Sequence, residues 1–154
     1  MNIIGKKRIG APWHLWVLGI VSLLWFAGGA NDYLMTKTEN AAYLGMAAEN
    51  MGVSVDTILA YFNAYPVWAT VFWALGVWGA VAGSILLLFR SRFAFHAFVV
   101  SLIGLAGSSA YTFTSDIPPE FASTGQLVFT VLIWASVIGM AAYAHAVTRA
   151  GVLR

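Results

Sequence analysis

Four long apolar stretches, separated by short polar segments, dominate the hydrophobicity pattern of this chain. They run over residues 12–30, 66–89, 93–114 and 125–147. Each can cross a hydrocarbon core of about 30 Å, which takes roughly 20 helical residues. Pro12 and Pro66 suit the first turn of a helix, where the missing N–H has no cost. The pattern predicts an all-α integral membrane protein in which residues 1–154 form a single membrane domain, a bundle of four transmembrane helices.

The polar-rich interruption over residues 31–65 has a helical pattern of its own. Thr36 followed by Glu39 is typical of a capping box, and apolar residues then recur at helical spacing as far as Gly52, a residue that can end a helix. Ser54 suits the cap of a second helix over about residues 55–64. The pattern predicts a short helical hairpin that lies on the outer membrane surface and acts as a lid.

The composition supports a membrane protein and excludes several kinds of chemistry. Residues of the set AVILMFWYC make up 60% of the chain and charged residues 9%, whereas soluble domains have about 45–50% and about 25%. The sequence contains no cysteine, which excludes disulfides, thiolate metal sites and thiol nucleophiles. It has no phosphate-binding loop or hydrolase motif. We expect a non-catalytic protein without a metal or cofactor and without a nucleic-acid partner.

Charged residues divide between the two ends of the predicted bundle. Seven basic residues fall on one side: Lys6, Lys7, Arg8, Arg90, Arg92, Arg149 and Arg154. Lys37 falls on the other side with all six acids: Asp32, Glu39, Glu49, Asp56, Asp116 and Glu120. The positive-inside rule then predicts that both termini lie in the cytoplasm. The basic start, apolar core and small residues 28–30 also describe a cleavable signal peptide, and cleavage would leave three spans.

Small residues recur at helical spacing on the second and third spans. Gly76, Gly79 and Gly83 lie on the second span, and Gly104 and Gly107 lie on the third. Small residues let helix backbones approach closely where no water drives burial. The spacing predicts that these two faces pack against each other, with a dimer interface as the alternative.

Three histidines are the candidate cofactor ligands. His14, His96 and His145 lie on three different spans, all near the basic end. Facing imidazoles can hold haem or a metal inside a bundle. We favour the alternative that they are interfacial residues with their polar tips among the lipid headgroups, because no carboxylate lies on that side to orient a ligating imidazole.

The candidate substrate or partner site begins where the first span ends. Asn31, Asp32 and Tyr33 follow that span, and Trp73 and Trp78 lie deeper, where an indole N–H needs a partner. Asp32 could bind a hydroxyl group or a cation, and Tyr33 could stack on a sugar. We favour the structural alternative, in which Asn31 and Asp32 end a helix and start a turn.

Two segments resemble a group of small four-span bacterial inner-membrane proteins that are loosely labelled sugar-transporter-like: "LLWFAGGANDYLMT" and "PVWATVFWALGVWGAVAGSILLLFRSRFAFHAFVVSLIG". The residues that carry the resemblance are Trp25, Asp32, Tyr33, Pro66, Trp68, Ala69, Val77, Gly79, Gly83, Ser84, Leu86, Leu87, Leu88, Arg90, Ser101 and Leu102. Phe26 stands where the group has Asn. If that Asn touches a substrate in the group, this chain lacks the contact.

Three functions are compatible with these patterns. The favoured one is an accessory or structural subunit that contacts the bilayer and packs against a larger membrane protein complex. The alternative is a small-solute carrier, with sugar as a candidate solute, that acts as an oligomer with Asp32, Tyr33 and the deep tryptophans near its pathway. The spans have no ionisable residue near their middle, which argues against an ion-coupled carrier. A haem-binding membrane protein comes third.

Overall fold

The computed structural model describes residues 9–154, and this part of the chain contains helices and no strand. The helices are α1 (Trp13–Lys37), α2 (Ala41–Met51), α3 (Val55–Asn63), α4 (Val67–Leu88), α5 (Phe93–Thr114) and α6 (Thr124–Arg149), with a 3-10 turn at Pro119–Phe121. Four of them, α1, α4, α5 and α6, are long and apolar enough to cross a membrane. The predicted all-α membrane bundle is confirmed. Lys6, Lys7 and Arg8 lie outside the described residues.

Helix α1 continues well beyond the predicted end of the first span. It ends at Lys37, where the backbone N–H of Thr38 donates to the carbonyl of Leu34 at 2.8 Å. Asn31 and Asp32 therefore lie inside the helix, and the favoured expectation that they end it is wrong. Asn and Asp are weak helix formers, but tertiary packing overrides such small preferences.

The predicted helical hairpin is present as α2 and α3, although its first cap differs from the prediction. Thr36 is buried in the last turn of α1, so the predicted capping box at this residue is wrong. The side chain of Asn40 caps α2 instead, accepting a hydrogen bond from the backbone N–H of Tyr43 at 3.0 Å. A cap must have a non-helical backbone. Thr36 loses that conformation because α1 continues through it.

The other two hairpin signals agree with the structure. Gly52 ends α2 with a φ of 68°, the left-handed conformation that favours glycine. The Ser54 side chain accepts from the backbone N–H of Thr57 at 3.1 Å and caps α3. Leu44, Ala48 and Ile58 form a small buried cluster between the two helices. The α2–α3 hairpin (residues 41–63) thus has an apolar core of its own.

Helices α4 and α5 form the tightest pair, and glycines set their separation. A Cβ built on Gly79 would stand 2.8 Å from the backbone N of Ser101, and one built on Gly104 would overlap the backbone N of Gly76. The Ser101 hydroxyl donates to the Gly76 carbonyl at 2.5 Å. The two small-residue faces therefore lie against each other within this hairpin of helices, in the way that small residues allow.

Two further glycines of this pair accommodate aromatic rings. Gly83 lies against the ring of Phe98, and Gly107 lies against the ring of Phe72. Phe98 is fully buried and belongs to the main core of the bundle. Each glycine on one helix thus makes room for a large side chain on the other.

Helix α1 packs on α4, α4 on α5, and α5 on α6. Helices α1 and α6 meet mainly through side chains: His14 Nδ1 lies 2.6 Å from the Tyr143 hydroxyl, and the rings of Trp25 and Phe129 lie 6.0 Å apart. We call this boundary the α1–α6 seam. Because the backbones stay apart there, the bundle keeps space inside it.

Basic residues gather where the α4–α5 turn meets the C-terminal segment. Arg90, with a φ of 57°, donates from its guanidinium to the carbonyl of Val152 at 2.9 Å and to the carbonyl of Ile9 at 3.0 Å. The backbones of Arg92 and Arg154 are joined by a 2.8 Å hydrogen bond. We call this the basic end. The six acids lie at the opposite end, the acidic end, where the α2–α3 hairpin also lies.

Candidate functional site

The acidic half of the bundle contains a cavity of about 990 Å³. Its walls come from α1, α4, α5 and α6, and the α2–α3 hairpin and the 3-10 turn at Pro119–Phe121 border it on the acidic side. Leu24, Ala80, Ser101 and Val137 are the lining residues of the four helices that lie nearest to the basic half. The other half of the bundle is filled by a buried core that includes Leu15, Leu87, Ala94, Phe98 and Ala144. The cavity is therefore one-sided.

The last turns of α1 point different residues in two directions. Asp32 and Thr36, four residues apart and so on one face of the helix, line the cavity. Tyr33 and Lys37, also four residues apart, face α4: the Tyr33 ring stands edge-on to Trp73 at 4.8 Å, and Lys37 Nζ lies 5.6 Å from the centre of the Trp73 ring. The continuation of α1 as a helix thus separates a carboxylate on the cavity side from an ammonium on the α4 side.

Asp32 is linked to the hairpin by one short hydrogen bond. The Tyr43 hydroxyl donates to Asp32 Oδ1 at 2.6 Å. Burial, and then the hydrogen bond to Asp32 and its negative charge, raise the pKa of Tyr43 to about 12. The hydroxyl therefore keeps its proton, and with it the link between α1 and α2, throughout the physiological pH range.

Aromatic rings form the outer wall of the cavity. Tyr61 stacks on Phe121 at 4.2 Å with 12° between the ring planes, and Phe62 stacks on Trp73 at 5.3 Å. The Tyr65 hydroxyl donates to the Tyr61 hydroxyl at 3.3 Å. Burial is the main cause that raises the pKa of Tyr61, with a contribution from Tyr65. These rings tie α3, α4 and the 3-10 turn together around the cavity.

Among the candidate site residues, Asp32 and Trp73 line the cavity and Tyr33 supports Trp73. Asn31 and Trp78 are exposed and do not line it, so the structure does not join them to this site. The hairpin residues Tyr43 and Tyr61 line the cavity although the sequence analysis did not select them. Each lies on an apolar helix face, and no local signal separates such a residue from an ordinary packing residue.

His14 has different neighbours from the other two histidines. His14 contacts Tyr143, whereas His96 and His145 are exposed and lie beside the ring of Phe95, at 5.7 Å and 5.0 Å between ring centres. Residues 9–154 contain no group of three His, Asp or Glu residues placed to hold a metal ion. The haem hypothesis requires two imidazoles that face each other across a cofactor, and the His14 to Tyr143 contact gives this imidazole a different partner.

Comparison with protein-family models, with curated proteins and with solved structures finds no match to this chain. The class of protein therefore follows from the fold and the composition. The chain is an all-α, multi-pass membrane protein whose four apolar helices contact the lipid bilayer.

Proposed function

We propose that this protein binds a small solute in the cavity beneath the α2–α3 hairpin, and that this binding is one step in the action of a carrier. The cavity itself carries the proposal, because its volume of about 990 Å³ lies at the upper end of the range of roughly 300–1,000 Å³ that is typical of small-molecule sites. The cavity also combines mostly apolar walls with a few polar groups, including Asp32, Thr36 and Gln126. Such walls are typical of binding sites that fix the orientation of a ligand.

The one-sided shape of the cavity supports a carrier over an open channel. The basic half of the bundle is closed by buried side chains such as Leu15 and Leu87. Transport through this protein requires the helices to rearrange, so that a second state opens the basic half and closes the acidic half. The α1–α6 seam, which side chains rather than backbones hold together, is the boundary that rearranges with least disruption.

We place the protein in a bacterial inner membrane with the basic end in the cytoplasm and the cavity facing outward. The charge distribution of the chain, with seven of the eight Lys and Arg residues on one side, supports this orientation. The resemblance to small four-span bacterial proteins favours the bacterial inner membrane. A sugar as the solute and an oligomeric carrier stay predictions of the sequence resemblance.

An accessory function beside a larger complex also stays a prediction. Many large apolar side chains are exposed on the four bundle helices, among them Trp16, Val21, Val71 and Ile138. Such exposure is expected of any helix that faces lipid. These surfaces therefore support contact with the bilayer and do not select a protein partner.

A cavity-filling substitution tests the proposed function. Gly29 lines the cavity and has no atom within 4 Å of a built Cβ, so Gly29→Phe places a ring in the cavity without a backbone clash. Gly139→Phe is the matched control, because Gly139 also has open space around its Cβ and does not line the cavity. Native mass spectrometry of protein released from membranes in nanodiscs measures small molecules that stay bound.

We expect a bound small molecule in the wild type and in Gly139→Phe, and its loss in Gly29→Phe. Three proteins with identical bound molecules, or with none, would contradict the proposed function.

A further inference from the structure

We infer that the solute is an amphipathic organic cation, whose charge pairs with Asp32 and whose apolar body lies among the aromatic rings of the cavity. This inference rests on the proposed function, because it names the chemical class of the ligand that the cavity binds.

The charge of the cavity argues against an anionic ligand. Among the described residues that line it, Asp32 is the one residue with a formal charge. Lys37, the basic residue of this end, lies on another face of α1, where its Nζ donates to Thr70 Oγ1 at 3.4 Å. Asp32 is exposed in the cavity, so its charge is partly solvated. Its carboxylate repels an anion and attracts a cation.

Asp32 has capacity for a further partner. Tyr43 donates to its Oδ1, and no other side chain among residues 9–154 donates a hydrogen bond to this carboxylate. A carboxylate accepts up to about four hydrogen bonds. Oδ2 is therefore available to a ligand ammonium or to another positively charged group.

Several hydroxyls of the cavity wall present lone pairs to the ligand. Four of them already donate their proton to a helix carbonyl: Ser101 to Gly76, Ser108 to Leu105, Thr112 to Ser108, and Thr130 to Gln126. A hydroxyl has a single proton and two lone pairs, so these groups offer the ligand mainly acceptors. Lone pairs attract positive charge, so these four hydroxyls add to the attraction of a cation.

Aromatic rings in the cavity wall provide further contacts for the ligand. Tyr61, Phe62, Trp73 and Phe121 line the cavity near the acidic end, and these stacked pairs offer an apolar body a large aromatic contact surface. Trp25 and Phe129 line it at the α1–α6 seam, where their ring centres lie 6.0 Å apart. A ligand with an apolar body can keep that body against these rings while its charge reaches Asp32.

The test uses the full chain in nanodiscs of zwitterionic phosphatidylcholine and measures binding by equilibrium dialysis, with empty nanodiscs subtracted. The cationic ligand is tetraphenylphosphonium. Tetraphenylborate has the same shape and the opposite charge, and methyl glucoside is a neutral sugar. Asp32→Asn removes the charge and keeps an oxygen that can accept from Tyr43. Glu49→Gln is the matched control, because Glu49 is an exposed acid of the same end that does not line the cavity.

We expect saturable binding of tetraphenylphosphonium by the wild type and by Glu49→Gln, and affinity about fivefold weaker in Asp32→Asn, the loss of one partly solvated charge pair. Equal affinity in Asp32→Asn, or equally tight binding of tetraphenylborate, would overturn the inference. Binding of methyl glucoside that Gly29→Phe abolishes, without binding of the cation, would also overturn it and would leave the proposed function standing. If none of the three compounds binds saturably and Gly29→Phe leaves the co-purified molecules unchanged, both proposals fail.

Discussion

The Tyr43 hydroxyl lies 2.6 Å from Oδ1 of Asp32 and joins α2 to α1 beside the cavity. The two residues are eleven positions apart, and a helix end, a turn and a helix start separate them. This hydrogen bond is the side-chain link between the α2–α3 hairpin and the cavity-facing side of α1. It gives the hairpin a defined position over the site, and its removal has a measurable consequence.

Tyr43→Phe removes this link and keeps the aromatic ring. We expect the hairpin to open more readily, with hydrogen exchange over residues 41–63 roughly fivefold faster, because a hydrogen bond of this kind contributes about 1 kcal/mol when it is partly exposed. Exchange in α4 and α5 should not change. Hydrogen exchange with mass spectrometry measures both, and Tyr33→Phe is the control, since the contact of Tyr33 with Trp73 is through its ring. Equal exchange in the wild type and Tyr43→Phe would show that the link does not hold the hairpin.

Tyr43 should lose its proton at a higher pH than an ordinary tyrosine. Its pKa in the folded protein is raised from 10.0 to about 12. The neutral hydroxyl therefore contributes stability that is fully present below pH 10 and is lost as the pH rises through 12. The difference in tyrosinate absorbance between the wild type and Tyr43→Phe measures this step. In Asp32→Asn the pKa should fall only part of the way back to 10.0, because burial is its largest cause. A step at the ordinary tyrosine pKa would show that Tyr43 is solvated.

The close contact of α4 and α5 depends on Gly104. A Cβ at this position meets the backbone of Gly76 and the carbonyl of Phe72, which cannot move aside as a side-chain tip can. We expect Gly104→Leu to destabilise the bundle by about 3 kcal/mol or more, the range of severe overpacking. Gly139→Leu, with open space around the Cβ, should change stability little. Thermal unfolding in detergent, followed by circular dichroism, compares the two. Equal midpoints would contradict the tight packing.

The orientation in the membrane follows from the charges and has its own test. A phosphatase fused after Glu120 should be active, since this enzyme folds only outside the cytoplasm, and the same enzyme fused after Arg154 should be inactive. The two positions lie on opposite sides of α6. The reverse pattern of activities would overturn the assignment of the basic end to the cytoplasm.

Local patterns in the sequence determine a large part of this fold. The four membrane helices follow from hydropathy, because lipid requires a helix to satisfy its own backbone groups over the whole span. The boundaries of α5 agree with the predicted span. Gly52 and Ser54 mark the turn of the hairpin, because a left-handed backbone and a side-chain cap each depend on one residue and its nearest neighbours. These features act over distances of a few residues, and the sequence displays them directly.

Only the tertiary structure decides the end of α1, the cap of α2 and the cavity. Asn31 and Thr36 have local preferences for a turn and a cap, but burial of Thr36 and contact of Tyr33 with α4 keep the chain helical to Lys37. That extension rotates Asp32 toward the cavity and Lys37 toward Trp73, and it places Tyr43 against Asp32. Hydropathy and capping signals depend only on the residues within each segment and next to it. The site depends on which side chains meet from segments far apart in the chain, and packing energies decide those meetings.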